Sequence, residues 1–138
     1  EAFPMDVDEM AKSLRLFPVD NALAATLIAG LSNGQTHIQT DDLCFDLVIG
    51  DARETVPTWT GLADAWFLDG FSPAKNPELW EQQLLKSVFD HTAPTGTAAT
   101  YTAAGVVRRG LADAGFAVEK TSGFGRKRHM SVARKDTL

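Results

Sequence analysis

The chain has 138 residues, of which 44% are hydrophobic and 22% charged, and its formal net charge is −5. That length suits one ordinary domain, the apolar share excludes wholesale disorder, and the negative balance excludes a purely electrostatic coat for nucleic acid. The single cysteine, Cys44, permits no internal disulfide and fits a reducing, cytoplasmic setting, and no apolar run is long enough to span a membrane.

In chain order, Glu1 to Asp6 carry neither an initiator methionine nor a signal-like run. Residues 6–16 are expected to form a helix, with Met10, Leu14 and Phe17 on one stripe, Asp6 as cap and Pro18 as stop. A second helix is expected over 20–32, capped by Asp20 and ended by Asn33-Gly34. Residues 36–39 and 43–49 read as two strands joined by a turn at Thr40-Asp41-Asp42. His37 is expected at a solvated hairpin position, and Cys44 as a small core residue. A short helix or turn follows to Pro57.

Ala65-Trp66-Phe67-Leu68 is apolar without alternation, which predicts a parallel-sheet strand buried on both faces. Residues 77–91 are expected to be one helix with Pro77 at its first position. Pro94-Thr95-Gly96 reads as a turn and 97–101 as a strand. Residues 104–114 form the next helix, with Val106, Val107 and Leu111 inward, Arg108 and Arg109 mostly outward, and Gly115 as terminator. Strands over 116–120 and 129–134 flank the loop Gly123-Phe124-Gly125. From residue 43 onward this is the order of an open α/β sheet with an antiparallel pair at its end.

Ligands gather beyond the carboxyl ends of strands in such sheets. Asp51 and Asp69 each follow an apolar run and each neighbours a glycine. They are expected to enter one crevice, although turn formation alone also accounts for Asp beside Gly. Ser72 to Pro77 is a rigid polar loop. Phe71 and Trp80 are candidates for its walls, with Trp80 equally suited to the core. Tyr101-Thr102-Ala103-Ala104 should enter the same crevice, to position a substrate or to cap the next helix.

Charge is uneven. Residues 1–100 hold 15 acids and 5 bases, whereas 101–138 hold 3 acids and 8 bases. Arg126-Lys127-Arg128 offers a contact for a phosphate backbone, or simply a solvated turn. No cluster of His, Cys and carboxylates has metal-ligand spacing, so no metal is expected. Phosphate-loop and nucleophile-elbow motifs are absent as well.

Several blocks together carry a family resemblance. They are Asp64 to Trp80 (with Asp69-Gly70-Phe71-Ser72-Pro73-Ala74-Lys75-Asn76-Pro77), Gly50-Asp51-Ala52, Tyr101 to Leu111, Gly115-Phe116, and Gly123 to Met130. Through them the chain resembles the S-adenosylmethionine-dependent methyltransferase domain of the bacterial bifunctional enzymes that complete 5-methylaminomethyl-2-thiouridine in tRNA.

The resemblance implies a Rossmann-like class I methyltransferase sheet, here without its first strand and glycine-rich loop. Residues 1–138 would be the C-terminal two-thirds of a single domain, an excerpt whose preceding segment lies upstream. It implies S-adenosylmethionine as cofactor, held by Glu1 (ribose), Asp51 and Ala52 (adenine), Asp69 and Gly70. Asp69 would be the catalytic residue, between methyl donor and substrate amine. Phe71, Pro73, Lys75, Tyr101, Arg126, Lys127 and Arg128 would bind the tRNA. FAD enters only with a fused oxidoreductase domain. The alternatives are an inert RNA-binding remnant of the domain and a domain that merely accompanies such an oxidoreductase.

Overall fold

The computed structural model describes residues 1–136; the last two positions of the expected 1–138 domain lie outside the described residues. The chain forms two compact units, residues 1–51 and residues 52 onward.

In the first unit, α1 (Val7–Leu14) begins where the Asp6 side chain accepts hydrogen bonds from the Asp8 and Glu9 amides. Helix α2 (Asn21–Ser32) begins where Asp20 accepts from the Leu23 amide at 2.9 Å. Both caps occupy amides that the first helical turn cannot pair. Strands β1 (His37–Gln39) and β2 (Cys44–Asp46) form an antiparallel hairpin, pairing His37 with Asp46, Ile38 with Phe45 and Gln39 with Cys44.

The expected strand over 43–49 stops at Asp46. Beyond Asp46 the backbone makes one more bond within the hairpin and two to the start of the chain. The Leu47 amide donates to the Thr36 carbonyl, the Val48 carbonyl accepts from the Glu1 amino group, and the Gly50 amide donates to the Glu1 carbonyl. Val48 and Ile49 are exposed. Cys44 is exposed too, not a core residue, because its position in the alternation puts it opposite the buried Ile38 face.

The second unit begins with α3 (Ala52–Thr58), which carries Pro57 in its last turn. Next come β3 (Ala63–Phe67), a 3₁₀ turn (Pro77–Trp80), α4 (Gln82–Asp90), β4 (Thr92–Thr100), α5 (Gly105–Ala114), β5 (Ala117–Ser122) and β6 (His129–Arg134). The sheet order is β3-β4-β6-β5, with β3 and β4 parallel and the other neighbours antiparallel. A mixed α/β sheet with an antiparallel end is thus observed, as the order of elements predicts.

Four expectations change. Strand β3 is not buried on both faces: it lies at the edge of the described sheet, and Phe67 is 85% exposed. The helix expected over 77–91 is split at Glu81, whose backbone is extended (φ −63°, ψ 145°). The Trp80 ring is buried and its Nε1–H donates to the Phe71 carbonyl at 2.9 Å, which holds the 3₁₀ turn apart from α4. Pro94-Thr95-Gly96 is not a turn between elements but a bulge inside β4, where the pairing jumps from Ala63–Thr92 to Ala65–Thr97 and Thr95 has φ 65°. Val106 points outward, whereas Val107 and Leu111 are inward as expected.

The core lies between α4, α5 and the sheet. Leu85 and Val88 of α4, Val107, Leu111 and Ala114 of α5, and Ala98, Phe116 and Ala133 pack as one cluster with Trp80. Phe89 and Phe116 add an edge-to-face pair at 5.0 Å. This core leaves the carboxyl ends of β3 and β4 free to carry chemistry.

Candidate functional site

Parallel strands run in one direction, so β3 and β4 end on the same side of the sheet. A cavity of about 420 Å³ opens there. Its walls are Phe67, Leu68 and Asp69 from the end of β3, Ala99, Thr100 and Tyr101 from the end of β4, Phe124 and Lys127 from the β5–β6 loop, and Met130 of β6. The register that joins β4 to β6, with Thr100 opposite Ser131, brings that loop over the same strand ends.

Asp69 is exposed at the cavity, one residue beyond the Leu68 amide that donates to the Ala99 carbonyl. Its own amide donates to the Phe67 carbonyl at 3.0 Å, which turns the chain away from the sheet. Tyr101 sits across from it. The Tyr101 hydroxyl donates to the Gly70 carbonyl at 2.8 Å, and Lys127 Nζ stands 5.2 Å from the Tyr101 ring centroid. Asp69, Tyr101 and Lys127 therefore share one site. The Thr102 hydroxyl oxygen accepts from the Ala104 amide and orders the turn before α5, but Ala104 is the N-cap residue and no side chain caps the helix.

The loop after Asp69 is ordered by its own bonds. The Ser72 carbonyl accepts from the Lys75 and Asn76 amides, and the Phe71 carbonyl accepts from Trp80. Within this loop Pro73 is half-buried and Lys75 exposed. The Phe71 side chain is 74% exposed and does not line the cavity. Trp80 belongs to the core, as one of its two expected roles has it.

In the β5–β6 loop, the Gly123 amide donates to the Arg128 carbonyl and the Lys127 amide to the Phe124 carbonyl. A Cβ on Gly123 would come within 2.2 Å of the Lys127 carbonyl oxygen, so only glycine fits this close return. Arg126, Lys127 and Arg128 are all exposed on this loop.

Glu1, Asp51 and Ala52 are not among the residues that line this cavity. Glu1 and Asp51 belong to the first unit and Ala52 opens α3 of the second. The two bonds from the Glu1 backbone to Val48 and Gly50 set Glu1 alongside the segment that ends in Asp51. Gly50 has φ 148°, a conformation that favours glycine and leaves the backbone approachable. Two carboxylates thus stand at adjacent chain segments, and one oxygen of Glu1 accepts from the Phe3 amide at 2.9 Å; as acceptors they are chemically suited to hydroxyl and amine donors.

Residue patterns did not mark Phe67, Phe124 or Met130 as cavity walls. For Phe124 a signal existed, an aromatic between two glycines on a basic loop.

Comparison with known proteins agrees with this architecture. Residues 19–136 match the family model described as S-adenosyl-L-methionine-dependent methyltransferase. Proteins named tRNA 5-methylaminomethyl-2-thiouridine biosynthesis bifunctional protein MnmC are similar in sequence. The one from Caulobacter vibrioides is 45% identical over 133 residues, covering 93% of this chain and 22% of the relative. The one from Chromohalobacter salexigens is 44% identical over 134 residues, covering 94% and 19%. The chain thus spans about a fifth of the length of these curated relatives. Among solved structures, MNMC2 from Aquifex aeolicus superposes with a TM-score of 0.69 at 30% identity, covering 88% of this chain and 40% of that one.

Proposed function

Since the chain belongs to the S-adenosyl-L-methionine-dependent methyltransferase family, we propose that it methylates the aminomethyl nitrogen on the wobble 2-thiouridine of tRNA. The observation that carries the proposal is the cavity at the β3 and β4 ends, which Asp69, Tyr101 and Lys127 share. The similarity to relatives named for 5-methylaminomethyl-2-thiouridine biosynthesis supplies the substrate class.

S-adenosyl-L-methionine supplies an electrophilic methyl group on a sulfonium when bound. Glu1, Asp51, Ala52, Asp69 and Gly70 are the residues proposed to hold it, the carboxylates accepting from ribose and adenine donors. The attacking amine needs a free lone pair. A carboxylate close to an amine favours the ammonium form, so neutralising the amine is not the whole of Asp69's effect. Its proposed role is to accept a hydrogen bond from the amine N–H, aim the lone pair, and take the proton as the new N–C bond forms. Tyr101 holds the loop that carries Asp69, through the Gly70 carbonyl.

Phe71, Pro73 and Lys75 are proposed to border the substrate from the loop. Arg126, Lys127 and Arg128 meet the phosphate backbone of the tRNA, which balances the acidic remainder of the chain. A cytoplasmic reaction is part of this proposal, as tRNA is its substrate. No described helix is long and apolar enough to cross a membrane. FAD chemistry would belong to a fused oxidoreductase domain and not to these residues.

The test is transfer of labelled methyl from S-adenosylmethionine by the intact protein. Label is expected in tRNA bearing 5-aminomethyl-2-thiouridine and not in tRNA whose wobble amine is already methylated. Equal labelling of both would place the reaction elsewhere on the tRNA. Retained tRNA binding without any transfer would favour the inert RNA-binding alternative.

A further inference from the structure

The β1–β2 hairpin gathers three different metal-binding groups on one face. His37 pairs directly with Asp46, and Cys44 lies two residues from Asp46 along the same strand. Side chains alternate along a strand, so Cys44 and Asp46 share a face, and a directly opposed residue shares it with them. His37 Nδ1 lies 2.6 Å from Asp46 Oδ1, and Cys44 Sγ lies 3.9 Å from Asp46 Oδ2. The nitrogen, sulfur and oxygen all fall within 4.8 Å of one another. We propose that His37, Cys44 and Asp46 form a surface site for a zinc ion, with the fourth coordination position open to solvent.

The distances fit. Zinc bonds of about 2.0–2.3 Å in a tetrahedron separate neighbouring ligand atoms by roughly 3.3–3.8 Å. The His37–Asp46 contact must open by about 0.7 Å and the sulfur must close in by up to roughly 1.3 Å, which rotation of exposed side chains supplies. The charges fit as well: one thiolate and one carboxylate balance a divalent cation, and imidazole stays neutral. A mixed S, N and O set suits borderline-soft zinc better than the hard cations, which take oxygen alone.

The hairpin is held in the register the site needs. Ile38 is buried on the opposite face, against α2 at Gly30, where a Cβ would come within 2.6 Å of Ile38 Cδ1. A slip of one residue would expose Ile38 and turn Cys44 away from His37. The turn is fixed too, by the Thr40 amide to the Leu43 carbonyl and the Leu43 amide to Thr40 Oγ1. Linear spacing hides this trio, because His37 joins the other two only through cross-strand pairing.

The site is independent of methyl transfer, and so is its test. Cys44 is the one cysteine of these 138 residues, so a thiolate-to-cobalt charge-transfer band of the intact protein is assigned to this residue by its loss in the Cys44→Ser variant. Titration with cobalt, followed by zinc displacement, is expected to give one ion per chain with that band present. Cys44→Ser should abolish the band. His37→Gln should weaken affinity by on the order of 10-fold or more, since loss even of an outer partner costs about that much. All three residues are exposed, so both variants should keep the unliganded melting temperature, and Asp46→Asn serves in place of either that does not. A missing thiolate band, affinity unchanged in both His37→Gln and Asp46→Asn, or one ion per two chains with dimer formation would each overturn the site.

Discussion

The Tyr101 hydroxyl donates a 2.8 Å hydrogen bond to the Gly70 carbonyl, tying the segment beyond β4 to the segment beyond β3. That bond spans 31 residues of sequence and sets the mouth of the cavity in which Asp69 stands. Tyr101→Phe keeps the ring beside Lys127 and removes only the bond. Stability is expected to fall by about 0.5–1.5 kcal/mol, the net worth of such a bond, and methyl transfer should fall with it. Unchanged transfer would show that Asp69 is positioned without Tyr101.

The core of the second unit depends on Leu85, which is 2% exposed between α4, α5 and the sheet. Leu85→Ala should destabilise the protein by about 2–5 kcal/mol, the usual cost of a cavity of that size. Denaturant unfolding measures it, as a lower midpoint with an unchanged slope.

The basic loop gives a salt signature. Removing one cation that neutralises a phosphate should lower the magnitude of the slope of log affinity against log salt by roughly 0.7–0.9. Arg126→Ala, Lys127→Ala and Arg128→Ala are each expected to reduce tRNA binding and that slope together. Reduced binding with no change of slope would mean that the residue meets a base or the protein, not a phosphate.

Gly123 allows the β5–β6 loop to return on itself, since a Cβ there would stand 2.2 Å from the Lys127 carbonyl. Gly123→Ala should therefore displace Phe124 and Lys127 from the cavity and weaken tRNA binding. Hydrogen exchange in β5 and β6 should stay slow, because the ladder from Ala117–Arg134 to Ser122–His129 pairs outside the loop.

Local chemistry was readable in the sequence. Asp6, Asp20 and Gly115 mark helix ends because a cap acts within one turn of its own helix. The hairpin followed from its turn residues, and the antiparallel end of the sheet from the order of elements. Long-range bonds were not readable. Trp80 breaks the expected 77–91 helix by bonding to Phe71, nine residues away. Pro94 to Gly96 looks like a turn locally but is absorbed as a bulge, because β3 continues alongside it.

The strand expected to reach Ile49 ends at Asp46; beyond it one further bond to the hairpin partner, from Leu47 to Thr36, and two bonds to Glu1 serve residues 47–50. In the candidate site, Asp69 and Tyr101 were visible as polar residues just past apolar runs. Met130 was not, and Phe124 only as an aromatic between two glycines, because both reach the cavity only once β6 inserts between β4 and β5.

The role of Asp69 is tested most directly by single-turnover methyl transfer to tRNA bearing 5-aminomethyl-2-thiouridine, using the intact protein and its Asp69→Asn variant. Loss of a positioned proton acceptor is expected to slow transfer by about 10²–10⁴-fold, with tRNA affinity nearly unchanged because the basic loop is intact. Full-rate transfer by the variant would contradict the account.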